Sequence, residues 1–408
     1  MNKIELTITA ESPLAIGVKK PGSVSEASDY IPGSVIRGAV ASALLQQSGR
    51  ENEDLSQEGG DFQTLFLGDR AAIFHNAYPG DRDTEVLVIP TTAVSSKTKP
   101  GFKPKGNGVF DTLIDRFCAE QFDHPYDPND PADNEGRVEP YSKFFSEKEG
   151  EYKIHFVTKR LLTRVGINRR RATAQEQILY SIEVLNETQG KENEPTLYRS
   201  NIYVEDDALA QSLILFIKDH NFRLGGATSR GLGKVKMEAV KIEATASQVK
   251  NNLNERVTKF NQQLRQRWQT WNNIFGTKNQ QWQDKRTYFT LDLQSDAILT
   301  EDWRRTTVIS PAMLRDFAGV EDPSLELCVA YSSYDYRSGW NSAWGRMKDI
   351  ELITNKGGVY LFSTENPKLW EPALSKLEVS GVGDRTSEGF GQVLVCNPFH
   401  QVFRENAV

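Results

Sequence analysis

The sequence predicts an α+β chain made of two similar halves, and three repeated features predict it. A glycine-rich stretch occurs twice, as Leu224-Gly-Gly-Ala-Thr-Ser-Arg230-Gly-Leu-Gly-Lys-Val235 and as Val382-Gly-Asp-Arg-Thr-Ser-Glu388-Gly-Phe-Gly-Gln-Val393. Gly225, Gly231 and Gly233 therefore match Gly383, Gly389 and Gly391. An alternating strand pattern opens each half, at Ile4 to Ser12 and at Thr287 to Ser295. A helix start with an arginine in its first turns follows, Ile31-Pro-Gly-Ser-Val-Ile-Arg37 in one half and Ile309-Ser-Pro-Ala-Met-Leu-Arg315 in the other. This is an internal duplication with a period too long for a solenoid. The simplest order of elements that satisfies it is two ferredoxin-like βαββαβ units with loop insertions and a linking helix. The expected divisions are 1–245, 246–284 and 285–408.

Taken in order, residues 3–10 read as a strand ended by Ser12-Pro13, and a polar loop with Glu26 and Asp29 leads to the first helix. Ser34 reads as its N-cap, and the Ala/Val/Leu run to Leu45 as its buried body. The stretches from Leu65-Phe66 to Tyr78 and from Glu85 to Thr92 read as strands. Ser95 to Gly106, with Lys97 and Lys99, is basic and rich in Pro and Gly, which predicts an exposed loop. Residues 110–122 read as a short amphipathic helix, and Asp123 to Gly136 as an acidic, Pro-rich mobile loop. A strand at Tyr152 to Val157 precedes a hairpin whose second arm is Arg171 to Leu185, and Ala208 to Lys218 reads as a helix. Val249, Leu253, Val257, Phe260, Leu264, Trp268, Trp271 and Phe275 recur every three or four residues, which predicts one long amphipathic helix between the halves.

Glycines at fixed places mark a backbone with positive φ or a close approach that a Cβ would block. Successive N–H groups in such turns form concavities that suit anions. The stretch is not a nucleotide loop: after Gly226-x4-Gly231 come Leu232 and Gly233 rather than Lys and Ser or Thr, and neither copy contains G-x-G-x-x-G. With 38% hydrophobic and 25% charged residues the 408-residue chain has an ordinary globular composition. It lacks an apolar run of about 18 residues, so no membrane contact is expected, and it starts on a strand pattern rather than a signal peptide. Cys118, Cys328 and Cys396 are too scattered for a disulfide framework or a metal site. A cytoplasmic protein without metal or cofactor is the expectation. The net charge is −6, yet residues 159–171 carry six cations (Lys159, Arg160, Arg164, Arg169, Arg170, Arg171) and no acid. Acids gather instead at Glu51 to Asp54 and Asp127 to Glu139. With Asn168 and Tyr180 nearby, that segregation predicts one face that meets RNA phosphates.

These residues resemble the RAMP superfamily of CRISPR-associated proteins, whose hallmark is a C-terminal glycine-rich loop on a ferredoxin-like fold. Ile31-Pro-Gly-Ser-Val-Ile-Arg-Gly38 is similar to the first-helix signature, and Gly166-Ile-Asn-Arg169 with Leu179-Tyr-Ser-Ile-Glu183 to the central hairpin. Phe74-His-Asn-Ala-Tyr-Pro79, Ile89-Pro-Thr-Thr92, Lys99-Pro-Gly-Phe102, Ser338-Gly-Trp-Asn-Ser-Ala-Trp-Gly345 and Gly357-Gly-Val-Tyr360 narrow the match. Together they look like the two-domain RAMP subunit of type III-D effector complexes, a Cas-five-like group. The resemblance implies a non-catalytic scaffold that binds guide RNA (crRNA) at its repeat-derived 5′ handle and lies near target RNA. It also implies contact with the large polymerase-like subunit and with backbone RAMP subunits. Carried onto this chain, Gly225, Gly226, Arg230, Gly231, Gly233 and Lys234 of the first loop would hold RNA, as would Gly383, Arg385, Gly389 and Gly391 of the second. Ser34, Arg37, Lys97, Lys99, Asn168, Arg169, Arg170 and Arg171 complete the expected contacts. Family members often carry cysteine pairs at the place of residues 118–140; here only Cys118 is present, so zinc is not expected. Trp340 and Trp344 are expected at a subunit interface, where aromatic anchors are enriched.

The competing reading is an endoribonuclease. A metal-independent guide-processing enzyme needs a general base, commonly a histidine. None of His75, His124, His155, His220 and His400 lies near the first helix, and the strand settings of His75 and His155 predict packed rings. A metal-assisted enzyme that cuts target RNA would use Asp29, in the loop before the first helix, to hold a divalent ion. A dipole-favoured carboxylate at a helix start explains the same residue without catalysis. A small-molecule enzyme has no motif beyond the glycines.

Overall fold

The computed structural model describes residues 1–18, 26–50, 53, 55, 60–68, 70–168, 173–190, 192–243, 246–276, 282–338, 340–341, 346–347 and 349–408; side chains at 166–168, 173–179, 246–251, 340–341 and 346 are not among them. The first unit is built from β1 (Asn2–Ala10), α1 (Gly33–Ser48), β2 (Ile73–Phe74), β3 (Leu197–Val204), α2 (Asp207–Asp219) and β4 (Lys234–Ile242). β1 pairs antiparallel with β3 (Ile4 opposite Ile202) and with β4 (Ile4 opposite Lys241), and β2 lies outside β3. The long helix α3 (Ala246–Phe275) leads to β5 (Thr287–Leu293), α4 (Pro311–Ala318), β6 (Glu326–Tyr331), β7 (Val359–Thr364), α5 (Pro367–Ser380) and β8 (Val393–Val395). Their sheet runs β6-β7-β5-β8, matching β2-β3-β1-β4 in the first unit. Both are the antiparallel βαββαβ arrangement that the duplication predicted.

Each sheet carries its own apolar core. Ile4, Leu6 and Ile8 of β1 meet Ile36 and Val40 of α1 and Leu213 and Ile217 of α2. In the second unit Phe289 and Leu291 of β5 pack with Phe362 of β7 and with Trp370 and Leu377 of α5. The same core takes in Leu253, Phe260, Leu264 and Trp268 of α3, so this helix is a layer of the second unit as well as a connection.

The first-half insertion crosses over too. Its helix Leu113–Gln121 buries Leu113, Ile114 and Phe117 in that second core, clamped by Asp115. Arg267 Nε and Nη2 of α3 hold Asp115 Oδ1 and Oδ2 at 2.6 and 2.8 Å, a two-pronged pair of the strong kind, and Trp271 Nε1 adds a bond of 2.9 Å. Val109 and Val408 exchange backbone hydrogen bonds of 2.8 and 3.1 Å, and Phe110 and Phe145 pack on Phe399 and Val402.

Several local expectations change. The N-cap of α1 is Pro32, and Ser34 lies within the first turn; the Gly33 N–H finds its acceptor in Asn76 Oδ1 at 2.8 Å, so a serine cap is not needed. Leu65-Phe66 ends a short helix, Gly60–Phe66, rather than a strand. The acidic stretch from Asp123 to Gly136 is folded against its neighbours: Asp130 is fully buried, accepts from Asn107 Nδ2 at 3.0 Å, and its carbonyl accepts from Arg404 at 3.0 Å.

Candidate nucleic-acid interface

The two glycine loops have one geometry, bond for bond. Lys234 N–H donates to Ser12 Oγ at 2.7 Å, and Gln392 N–H to Ser295 Oγ at 2.8 Å. Gly233 N–H reaches Pro13 O, and Gly391 N–H reaches Asp296 O, both at 2.9 Å. Gly226 donates to Ala15 O and Asp384 to Ile298 O, again at 2.9 Å. A 3₁₀ turn follows in each, Thr228–Arg230 and Thr386–Glu388, entered through a left-handed residue, Ala227 at φ 54° or Arg385 at φ 58°. The glycines are required because a Cβ on Gly225 would lie 2.5 Å from Ala15 O, and one on Gly391 1.8 Å from Val382 O. Many of the loop N–H groups are thus turned inward onto carbonyls, where they fix the turn rather than form an anion concavity.

The surroundings of the two loops differ. The second packs on the N-terminus of α1: a Cβ on Gly33 would meet Phe74 O at 2.0 Å and Glu388 O at 2.9 Å. Arg385 is held by Glu388, Nη2 to Oε2 at 2.6 Å, and lies 5.0 Å from the Phe390 ring centroid. Arg37 donates to Phe66 O; burial lowers its pKa, Glu388 opposes that shift and Arg385 adds to it. Beside this contact Arg337 Nη1 bonds Tyr30 Oη and Asp296 Oδ2, each at 3.0 Å, and Tyr30 Oη donates to Asp296 Oδ2 at 3.1 Å. Sequence reasoning missed this polar junction, although Arg337 directly precedes the Ser338-Gly motif.

The first loop is exposed at Gly225, Gly226, Ser229, Arg230 and Gly231, and it stands beside the hairpin Lys159–Asn168/Thr173–Leu185. Arg230 reaches Tyr180 Oη, with its guanidinium 5.7 Å from the ring centroid. Arg164 pairs across the hairpin with Tyr180, so it shares that face. Ala15, Val184 and Leu232 form a small buried cluster under the loop that joins it to the hairpin base.

Other expected cations have acidic partners. Lys159 Nζ lies 2.6 Å from Asp29, Arg160 Nη2 3.0 Å from Glu187, Lys234 Nζ 2.8 Å from Glu11 and Lys97 Nζ 2.8 Å from Glu139. Lys99 is exposed on the insertion. Arg169, Arg170, Arg171, Trp344 and the side chains of Asn168 and Trp340 lie outside the described residues. Asp29 is largely exposed, with Lys159 as its counter-ion. No cluster of three His, Cys, Asp or Glu placed to hold a metal occurs among the described residues. His75 is kept neutral, its pKa pushed down to about 3 by burial and by Lys3, and His155 bonds Ser146 at 2.8 Å. His155 is buried, as expected, whereas His75 is half-buried against the Tyr203 ring.

The sequence model of the RAMP superfamily matches residues 7–236, more than half of the chain. Among solved structures, the chain is similar to one from the type III-B Cmr-beta complex bound to cognate target RNA and AMPPnP. Identity there is 10% over 88% of this chain and 86% of that one, with a TM-score of 0.41. It is also similar to oligomeric Cmr4 from Pyrococcus furiosus, at 13% identity over 59% of this chain and 99% of that one, with a TM-score of 0.25. No curated protein matches it. The sequence match spans the first glycine loop and most of the unit around it, and on that match the chain belongs to the RAMP superfamily.

Proposed function

We propose that this chain is an RNA-binding subunit of a type III CRISPR effector complex and that it holds guide RNA, at the 5′ handle, along the first glycine loop and the hairpin. The observation that carries the reading is Arg230 lying over the exposed Tyr180 ring with Arg164 beside it. A cation for phosphate next to an aromatic face for a base is the pairing that single-strand binders use. The second loop is assigned to the junction between units, because Arg385 is spent on Glu388 and Gly389 is buried against the first unit. The division proposed is 1–245, 246–284 and 285–408, with the middle segment's helix belonging to the second core.

Tyr180→Ala is expected to weaken single-stranded RNA binding by about 1–3 kcal/mol. Arg230→Ala and Arg164→Ala should each flatten the log–log salt dependence by about 0.7. Filter binding at several salt concentrations reads both effects, and unchanged melting curves show that the fold is intact. Wild-type affinity and slope in all three variants would refute the assignment. Asp29→Ala is expected to leave RNA retention and assembly as they are; loss of target cleavage in an assembled complex would establish the metal-assisted reading instead.

A further inference from the structure

We infer that the exposed backbone face of the first glycine loop docks onto the first-helix N-terminus of a ferredoxin-like unit in a different protein chain. The inference rests on the reading of this chain as a subunit of an assembly, and it names the surface and the kind of partner.

The chain makes a contact of this kind with itself. The second loop offers Gly389 and the Glu388 carbonyl to α1, where a Cβ on Gly389 would lie 2.8 Å from Asn76 Oδ1, 2.9 Å from Phe74 O and 3.2 Å from Gly33 Cα. A glycine stands on each side of that contact, and apart from the Asn76 amide the atoms that meet there are backbone. α1 has no side-chain cap of its own, so its start is completed by Asn76 and covered by the loop.

The first loop has the same hydrogen bonds and the same signs of φ, with Gly231 at 85° where Gly389 has 91°. Yet among the described residues nothing lies within 4 Å of the Cβ position on Gly231. Arg230, at the place of Glu388, turns its side chain to Tyr180 and leaves the backbone face uncovered. A contact that runs from the loop of one unit to the helix of another is head-to-tail, so its two ends are not satisfied by each other.

A second copy of this chain does not supply the missing helix. Its α1 is already taken by its own second loop. Its α4 is closed: Ser310 Oγ accepts from Met313 N–H at 3.1 Å and donates to Glu301, and Pro311 stands where α1 has Gly33. The proline ring fills the space that the bare glycine leaves in the internal contact, and it lacks the N–H that Asn76 accepts. The partner is therefore another chain of this architecture, with an uncapped glycine at the first position of its first helix.

The test places a photo-crosslinking benzoylphenylalanine at the exposed Ser229 of the full chain. The complex is irradiated as purified through a tag, digested with ribonuclease and its linked peptides sequenced. The expected link is to the first turn of the first helix in another ferredoxin-like chain. Gly231→Asn, a residue that tolerates positive φ, should lower that link at least tenfold, because its side chain occupies the docking face. Links only to RNA, to a second copy of this chain, to some other surface, or to no protein would each overturn the inference. So would an undiminished link in Gly231→Asn. A complex that shows the expected link but contains no RNA would instead refute the proposed RNA-binding role and leave the docking surface standing.

Discussion

Replacing His400 with alanine is expected to lower folding stability by about 3–5 kcal/mol, because it removes the cation from a buried ionic cluster. His400 is fully buried in the C-terminal turn, with Nε2 2.7 Å from Asp292 Oδ1 of β5 and Nδ1 3.2 Å from Asp111 Oδ1 of the insertion. The Nδ1 contact is off the line of a hydrogen bond, so it acts as charge on charge. Burial alone would push the imidazole pKa down; Asp292 and Asp111 outweigh it and raise it to about 10. An unfolded histidine titrates near 6.5. The folded pKa is the higher one, so the stabilisation is complete below about pH 6.5 and is lost progressively as pH rises towards about 10. Urea midpoints of the wild type should fall across that window, and the gap between wild type and His400→Ala should narrow with them. A gap that stays constant from pH 6 to pH 10 would show that the ring is not held as the cation. Asp111, Asp292 and His400 come from three separate segments, so the same substitution should loosen the insertion and the C-terminal segment together.

That cluster also marks where sequence reading stops. The duplicated fold was legible because its signal is a short motif: Gly233 and Gly391 each meet a backbone carbonyl of their own turn, Leu224 O and Val382 O, and the glycines repeat with constant spacing. The hairpin and the long helix were legible for the same reason, since periodicity is a property of one element. The attachment of the insertion was not. Asp115 finds Arg267 across 152 residues, Val109 finds Val408 across most of the chain, and no pattern near either residue points to its partner. Charge was misread in a related way. Acidic and basic stretches separated in sequence fold onto one another, Lys97 on Glu139 and Lys159 on Asp29, so the described cations left for a ligand are fewer than the composition suggested. Arg164 and Tyr180 were legible only as members of a basic stretch and its surroundings; strand pairing is what sets them opposite each other beside Arg230.

The duplication supplies its own control for the contact between the units. Gly231→Ala and Gly389→Ala put a methyl group at the same place in the same turn, at φ 85° and 91°. Left-handed backbone costs a non-glycine residue about 1–2 kcal/mol, and that term is common to both variants. At Gly231 the methyl group meets none of the described residues, so the whole expected loss is that term. At Gly389 it also falls within 3 Å of Phe74 O and Asn76 Oδ1, which belong to rigid parts of the first unit. Overpacking of this kind adds about 1–3 kcal/mol, for a total near 2–5 kcal/mol. Denaturant unfolding of the two variants reads the difference directly. Equal losses would mean that the second loop does not bear on α1 in solution, and with that the template for the first loop's docking surface would fall as well. A larger loss at Gly389, with hydrogen exchange raised at Gly33 and across the Tyr30–Asp296–Arg337 cluster, would show that one loop geometry serves two ends: in the second unit it closes the chain on itself, and in the first it faces outward.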